Sequence, residues 1–255
     1  MVRPLVAGAL AALALVALPA LALDPFEFQV YDAETLPPGE AMAELHGIFR
    51  PSVAGSGLGP NSGLLDPGLL HLTLEPQVGI LPRVEIGAYL ESSLWPDGSY
   101  QFEGGKLRAK VRVSTAAWPF EAALNVEVGR SSPLSGEPLW AGEIRPILFR
   151  RFGRCLAIVN PILGTAFQPL GAPTFEPAAK FNCELWGHTA PGLEYYTDLG
   201  PLPALAPLAE QQHLLVYTLD LYRWSKIELN FGLGEPLTRA SGPWVVNTNL
   251  GLELP

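Results

Sequence analysis

The side chains of this 255-residue chain that could do chemistry are its carboxylates, its four histidines and its two cysteines. General acid–base work needs such groups to converge on one reacting atom. Glu44 and His46 stand two apart, as do His71 and Thr73. That spacing puts both members of a pair on one face of a strand, where a hydrogen bond is the ordinary outcome. The sequence has no G-x-S-x-G elbow and no H-E-x-x-H pair, so no hydrolase or zinc signature is present. His188 and His213 lack a convincing serine partner. No spacing among the His and Glu residues selects a metal, and no cofactor is implied. Cys155 and Cys183 form no C-x-x-C motif. They fall on two consecutive predicted strands, where a cross-strand disulfide and two separate buried thiols both fit. On these residues the chain is expected not to be an enzyme.

The elements that carry these groups are strands. Leu69 to Glu91 alternates strictly: Leu70, Leu72 and Leu74 on one phase, His71, Thr73, Glu75 and Gln77 on the other. After a tight turn at Leu81-Pro82 the alternation resumes, with Val84, Ile86, Ala88 and Leu90 against Arg83, Glu85, Tyr89 and Glu91. A period of two makes this a hairpin with one apolar and one charged face. Twelve such segments follow one another, approximately 40–49, 69–79, 82–93, 102–113, 120–129, 141–150, 154–165, 174–184, 191–198, 210–222, 226–234 and 243–254. The seventh and ninth are poorly phased. Connections run long, short, long, short: 50–68 is long and 151–154 tight, 199–209 long and 223–226 tight. That asymmetry belongs to an up-and-down outer-membrane barrel.

Composition points the same way. Hydrophobic residues make up 48% of the chain and charged residues 16%, and lysine occurs only at 106, 110, 180 and 226. A soluble sheet needs a polar outer surface and usually draws on lysine for it. The apolar faces of twelve strands have no covering helices to bury them, so they are assigned to lipid. The net charge of −9 argues against nucleic-acid binding. Residues 1–22 read as a secretory signal peptide, with Arg3, the apolar run Leu5 to Leu21 and the cleavage pattern Ala20-Leu21-Ala22. Residues 23–39 form a lead-in that either stays in the periplasm or tucks into the barrel, and 40–255 form the barrel.

The charged faces then line a lumen. The candidate lining residues are Glu44, His71, Glu75, Arg83, Glu85, Glu91, Lys106, Arg108, Lys110, Arg112, Glu127, Glu143, Arg145, Lys180 and Glu228. Folding the third and fourth strands about Asp97-Gly98 sets Lys110 beside Glu85, with Gln77 on the other side. Folding the fourth and fifth about Ala116-Ala117 sets Lys106 near Glu127 and Arg112 near Glu121. Opposed charges of this kind offset one another's desolvation in a narrow interior. Trp95, Trp118, Trp140, Trp186, Trp224 and Trp244 lie at strand ends or in connections, as an interfacial aromatic girdle would require.

The segments FQVYDAETLPPGEAMAELH, VEIGAYLE, GGKLRAKVR, LNVEVG and IELNFGLGEPLTRASGPWVVNTNLG resemble a group of largely uncharacterised Gram-negative outer-membrane β-barrels, often described as putative transporters. The resemblance runs over most of the chain after the signal peptide and rests on diffuse strand patterns. Such barrels usually end in an aromatic residue, where this chain has Leu254-Pro255. The resemblance implies a bacterial outer-membrane location, lipid and the barrel-assembly machinery as partners, and passage of an unnamed small solute. The expectation is therefore an all-β, single up-and-down antiparallel transmembrane barrel with a polar, charged lumen. It serves as a channel or transporter for small polar or charged solutes, with a closed structural barrel as its rival and a barrel enzyme or a soluble periplasmic β-protein ranked behind them.

Overall fold

A computed structural model describes residues 27–51, 68–132, 140–167, 170–224 and 226–254. The proposed signal peptide lies outside them. The described residues form strands β1 (Ala41–Phe49), β2 (Leu70–Leu81), β3 (Val84–Leu94), β4 (Tyr100–Arg112), β5 (Glu121–Ser131), β6 (Ala141–Phe152), β7 (Cys155–Asn160), β8 (Leu163–Ala166), β9 (Thr174–Phe175), β10 (Ala178–Cys183), β11 (Thr189–Asp198), β12 (Gln212–Trp224), β13 (Ile227–Pro236) and β14 (Val245–Leu254). A single 3-10 turn covers Arg239–Ser241.

These segments make a closed twelve-strand antiparallel up-and-down barrel. β7 and β8 are two pieces of one strand along β6, and β9 and β10 are two pieces of the next. Each break falls at a proline, Pro161 in the first and Pro177 in the second. Proline has no N–H to give to the ladder, so the two strands expected over 154–165 and 174–184 are interrupted. The first and last strands close the ring, with Ala41 opposite Leu254 and Phe49 opposite Val246.

Tight connections at 82–83, 153–154 and 184–188, the longer 113–120, and the facing ends of β12 at Trp224 and β13 at Ile227 gather at one end, which is called the turn end. The connections 95–99, 199–211 and 237–244 gather at the other, the loop end. In the 95–99 turn the Asp97 carboxylate accepts bonds from Ser99 Oγ at 2.7 Å and Ser99 N–H at 2.9 Å. Those two bonds hold it below the usual carboxylate range.

Alternation sets the two faces. Leu45, Leu74, Leu90, Leu107, Val126, Ile144, Phe181, Leu193, Phe231 and Leu250 are exposed on the outer face. His46, Glu75, Glu85, Arg108, Glu127, Arg145, Asn182, Glu194, Asp220 and Asn247 are buried within. Soluble proteins do not present a continuous belt of this kind to water, whereas an outer-membrane barrel presents it to lipid.

Candidate functional site

The lumen is occupied by the chain itself. The lead-in tucks into the barrel: Phe28, Val30, Tyr31 and Ala33 are all buried in its core. They pack with inward-facing Ile147, Phe149, Leu156, Ile158, Leu214, Val216 and Val245. The wall is thus two-sided, apolar on parts of β6, β7, β12 and β14 and charged on β1 to β5. The seventh predicted segment is poorly phased for this reason: its lumen side is apolar because it packs on the lead-in.

Polar contacts fix the path of the segment. Asn160 holds the backbone of Tyr31 twice, accepting from its N–H at 2.8 Å and donating from Nδ2 to its carbonyl at 3.0 Å. The Tyr31 ring lies under Arg145 at 4.3 Å, with Arg108 at 5.5 Å and Lys110 at 5.8 Å, an arrangement attracted by the ring quadrupole. Its hydroxyl meets that of Tyr89. Arg145 pairs with Glu27 at 2.8 Å and Glu143 at 2.6 Å, and donates to the Gln29 carbonyl at 3.2 Å. Gln29 Nε2 donates to Glu44 at 3.0 Å, and the Leu36 N–H donates to Glu85 at 2.9 Å. Phe28 meets Tyr196 edge-on at 5.2 Å and lies beneath Arg50 at 5.5 Å. At the turn end Pro38 bridges Gly79 in parallel. A side chain at Gly79 would collide with the carbonyls of Leu36 and Pro37.

The charged wall forms one network. Arg108 reaches Glu75, Gln77 and Glu85, the last at 2.7 Å, and Lys110 stands 3.5 Å from Glu85. His46 Nε2 lies 3.0 Å from Glu75, and Gln77 Nε2 donates to Glu44 at 2.6 Å. Lys106 pairs with Glu91 at 3.3 Å, and Glu127 accepts from Asn125 at 2.7 Å. His71 Nδ1 lies 3.2 Å from Ser93 Oγ. On the far wall Lys180 pairs with Glu194 and Asp220, both at 2.8 Å. Each of these wall charges thus has an opposite charge or amide beside it, which offsets part of the cost of leaving water.

Three sequence expectations need correction. Arg83 does not face the lumen: it is exposed in the β2–β3 turn with φ of 73°. Lys106 sits opposite Gly129, and Arg108 takes the place opposite Glu127. The cause is the 113–120 connection, which shifts the register by two residues. Glu85 pairs with Gly79 and not with Gln77, because the ladder is irregular between Gly79 and Leu81. By contrast Lys110 does stand opposite Glu85. Arg112 and Glu121 meet at 2.7 Å, diagonally, at the half-exposed rim. Glu228 lines the cavity described below. Cys155 and Cys183 face each other across β7 and β10 and form a disulfide. Trp95, Trp140 and Trp244 lie at the loop end; Trp118, Trp186 and the end of β12 at Trp224 lie at the turn end.

Glu44, His46 and Glu75 offer three ligand atoms within 4.8 Å of one another. Arg108 already bonds Glu75, and Gln29 and Gln77 already bond Glu44. The trio therefore fits a hydrogen-bonded cluster better than a cation site. Below the lead-in, the lumen opens into a cavity of about 910 Å³ that reaches the turn end. Its lining includes Glu44, Glu85, Arg108, Arg151, Lys180, Asp220, Glu228, Asn249 and Glu253.

The class that this fold defines is an outer-membrane β-barrel. Among solved structures, the COG4313 outer membrane channel from Pseudomonas putida F1 is similar, with a TM-score of 0.53 and 11% identity, covering 89% of this chain and 100% of that one. LpxR from Salmonella typhimurium also matches, with a TM-score of 0.44 and 8% identity over 83% of this chain and 99% of that one. No family model matches the chain, and no curated protein does. The resemblance drawn from sequence therefore holds for the barrel fold and not for membership of a particular family. The expectation that this chain is not an enzyme is withdrawn: it rested on missing sequence motifs, and an outer-membrane barrel fold excludes no activity. At its TM-score the likeness to LpxR assigns no activity to any residue here.

Proposed function

We propose that this barrel passes small polar or charged solutes across the bacterial outer membrane, after export by its signal peptide. In this reading the segment from Glu27 to Pro38 closes the lumen at rest. The observation that carries it is the wide, charge-lined cavity beneath a single strand of inserted chain. The similar Pseudomonas putida protein is described as a channel, which supports the reading by analogy alone. An inserted segment is held by many small contacts, and a shift of part of it would join the cavity to the loop end.

A closed structural barrel is the second reading, and one observation favours it: the segment brings its own apolar core into the wall. Planar-bilayer recording separates the two. The channel reading expects small, infrequent openings for the intact chain and steady conductance when residues 27–36 are replaced by a Gly/Ser linker. A barrel that still excludes ions after that replacement, with its β-sheet signal intact, refutes it.

A further inference from the structure

The cavity at the turn end is electrically lopsided. On one side, Glu44 and Glu228 both stand level with Gly251 on the strand between them. Glu253 lies two residues further toward the turn end on β14, and Met42 is its partner on β1. Gly251 lets the Met42 side chain lie over the strand between them: a Cβ there would come within 2.5 Å of Met42 Cε, with Glu228 Cβ at 3.6 Å and Glu44 Cγ at 3.7 Å. Immediately above, Asn249 is 8% exposed and lines the cavity, and its Oδ1 has no hydrogen-bond partner among the described residues. Glu44 is already held by Gln29 and Gln77, so the arc formed by β13 and β14 presents Glu228, Glu253 and a bare amide oxygen to the cavity.

The opposite side carries the cations. Counting each interrupted strand once, β6 stands six places from β14 in either direction around the twelve-strand ring. Arg151 lies on β6 and Arg154 in the turn that follows, and both line the cavity. Glu184 and His188 lie near Arg154 on the rim, so the basic side is mixed at its edge. Arg151 is the cation placed across from the acidic arc. A guanidinium offers paired donors that match a carboxylate. Carboxylates beside an unbonded amide oxygen match an ammonium, which has donors and no acceptor.

We infer that this cavity is a binding site for a small zwitterion, with its ammonium against Asn249, Glu228 and Glu253 and its carboxylate toward Arg151. The site deepens the channel reading and rests on it for its role in passage. An amino acid or short peptide has the required chemistry, and one charge lies at each end of it.

The test uses the full barrel in detergent and three probes of one backbone: triglycine, triglycinamide and N-acetyltriglycine, titrated calorimetrically at neutral pH. Triglycine should bind tightest, by about fivefold over either singly charged probe, the scale expected of one partly exposed charge contact. Arg151→Gln should weaken triglycine and N-acetyltriglycine and leave the amide unchanged. Asn249→Ala should weaken triglycine and the amide and leave N-acetyltriglycine unchanged. If Asn249→Ala does not fold, Glu253→Gln, at an exposed position, makes the same test. Equal binding of triglycine and its amide overturns the inference, and so does binding of none of the three. Binding without bilayer conductance would remove the channel reading and keep the site. Conductance without triglycine binding would do the reverse.

Discussion

Arg145 joins the barrel wall to the inserted segment through Glu27, the Gln29 carbonyl and the Tyr31 ring. It is buried, and Glu27 is 8% exposed. Breaking one side of a buried pair leaves the other charge uncompensated, a loss of about 3–5 kcal/mol. Arg145→Met should therefore lower the unfolding free energy by that order in a denaturant titration, and adding Glu27→Gln should recover part of it. If the double variant is no more stable than the single one, the pair is not what holds the segment. The contrast lies at the rim, where Arg112 and Glu121 are 37% and 36% exposed. Solvent screens that pair, so Glu121→Gln should cost less than about 1 kcal/mol in the same titration.

At the scale of elements, the inserted segment depends on one glycine and one asparagine. Gly79 lets the Leu36–Pro37 backbone lie against β2. Gly79→Val should push the lower end of the segment off the wall while leaving the barrel closed. Faster hydrogen exchange at the Leu36 and Gly39 amides, with β-strand amides unchanged, is the expected readout. Those amides now donate to Glu85 and to the Gly79 carbonyl. Asn160→Ala removes both bonds to Tyr31 and leaves its buried peptide group unpaired, a loss of about 1–3 kcal/mol. Limited proteolysis near Tyr31 would report it, and unchanged protection would count against the anchoring role. Strand interruptions belong to this scale as well: Pro161 and Pro177 break two segments that were read as continuous strands, yet both segments still span the wall because neighbours bridge the gaps. The Thr197 N–H, for example, donates to the Pro177 carbonyl at 3.2 Å.

At the scale of the molecule, stability depends on which face meets lipid and on closure of the ring. Leu74 is exposed at mid-strand on the outer face. Leu74→Lys should destabilise the barrel in bilayers by about 2–4 kcal/mol, the effect of a cation near the hydrocarbon centre. An effect near zero would place that face in water. Closure has its own test. Leu45 and Leu250 are direct partners across β1 and β14, within the Cα spacing of an antiparallel pair. Leu45→Cys with Leu250→Cys should cross-link on oxidation and close the chain into a ring that runs faster on a denaturing gel. A pair displaced by two residues, Leu45→Cys with Leu252→Cys, should cross-link far less.

Much of this was legible along the chain, because strand alternation is a local property. The charged face of β4, the opposition of Lys110 to Glu85 about Asp97-Gly98, and the apolar outer belt all follow from a period of two and one tight turn. A tight turn transmits register faithfully. The looser 113–120 connection does not, and Lys106 lost its expected neighbour there. The course of residues 27–38 was not legible at all. Phe28, Val30 and Tyr31 read equally well as a periplasmic tail or a plug, and the apolar lumen side of β7 looked like noise in the alternation. Only closure of the ring brings Asn160 to Tyr31, 129 residues away, and Glu27 to Arg145. Local periodicity determined which residues point inward; the three-dimensional ring decided what they enclose, because that depends on pairing across the whole circumference.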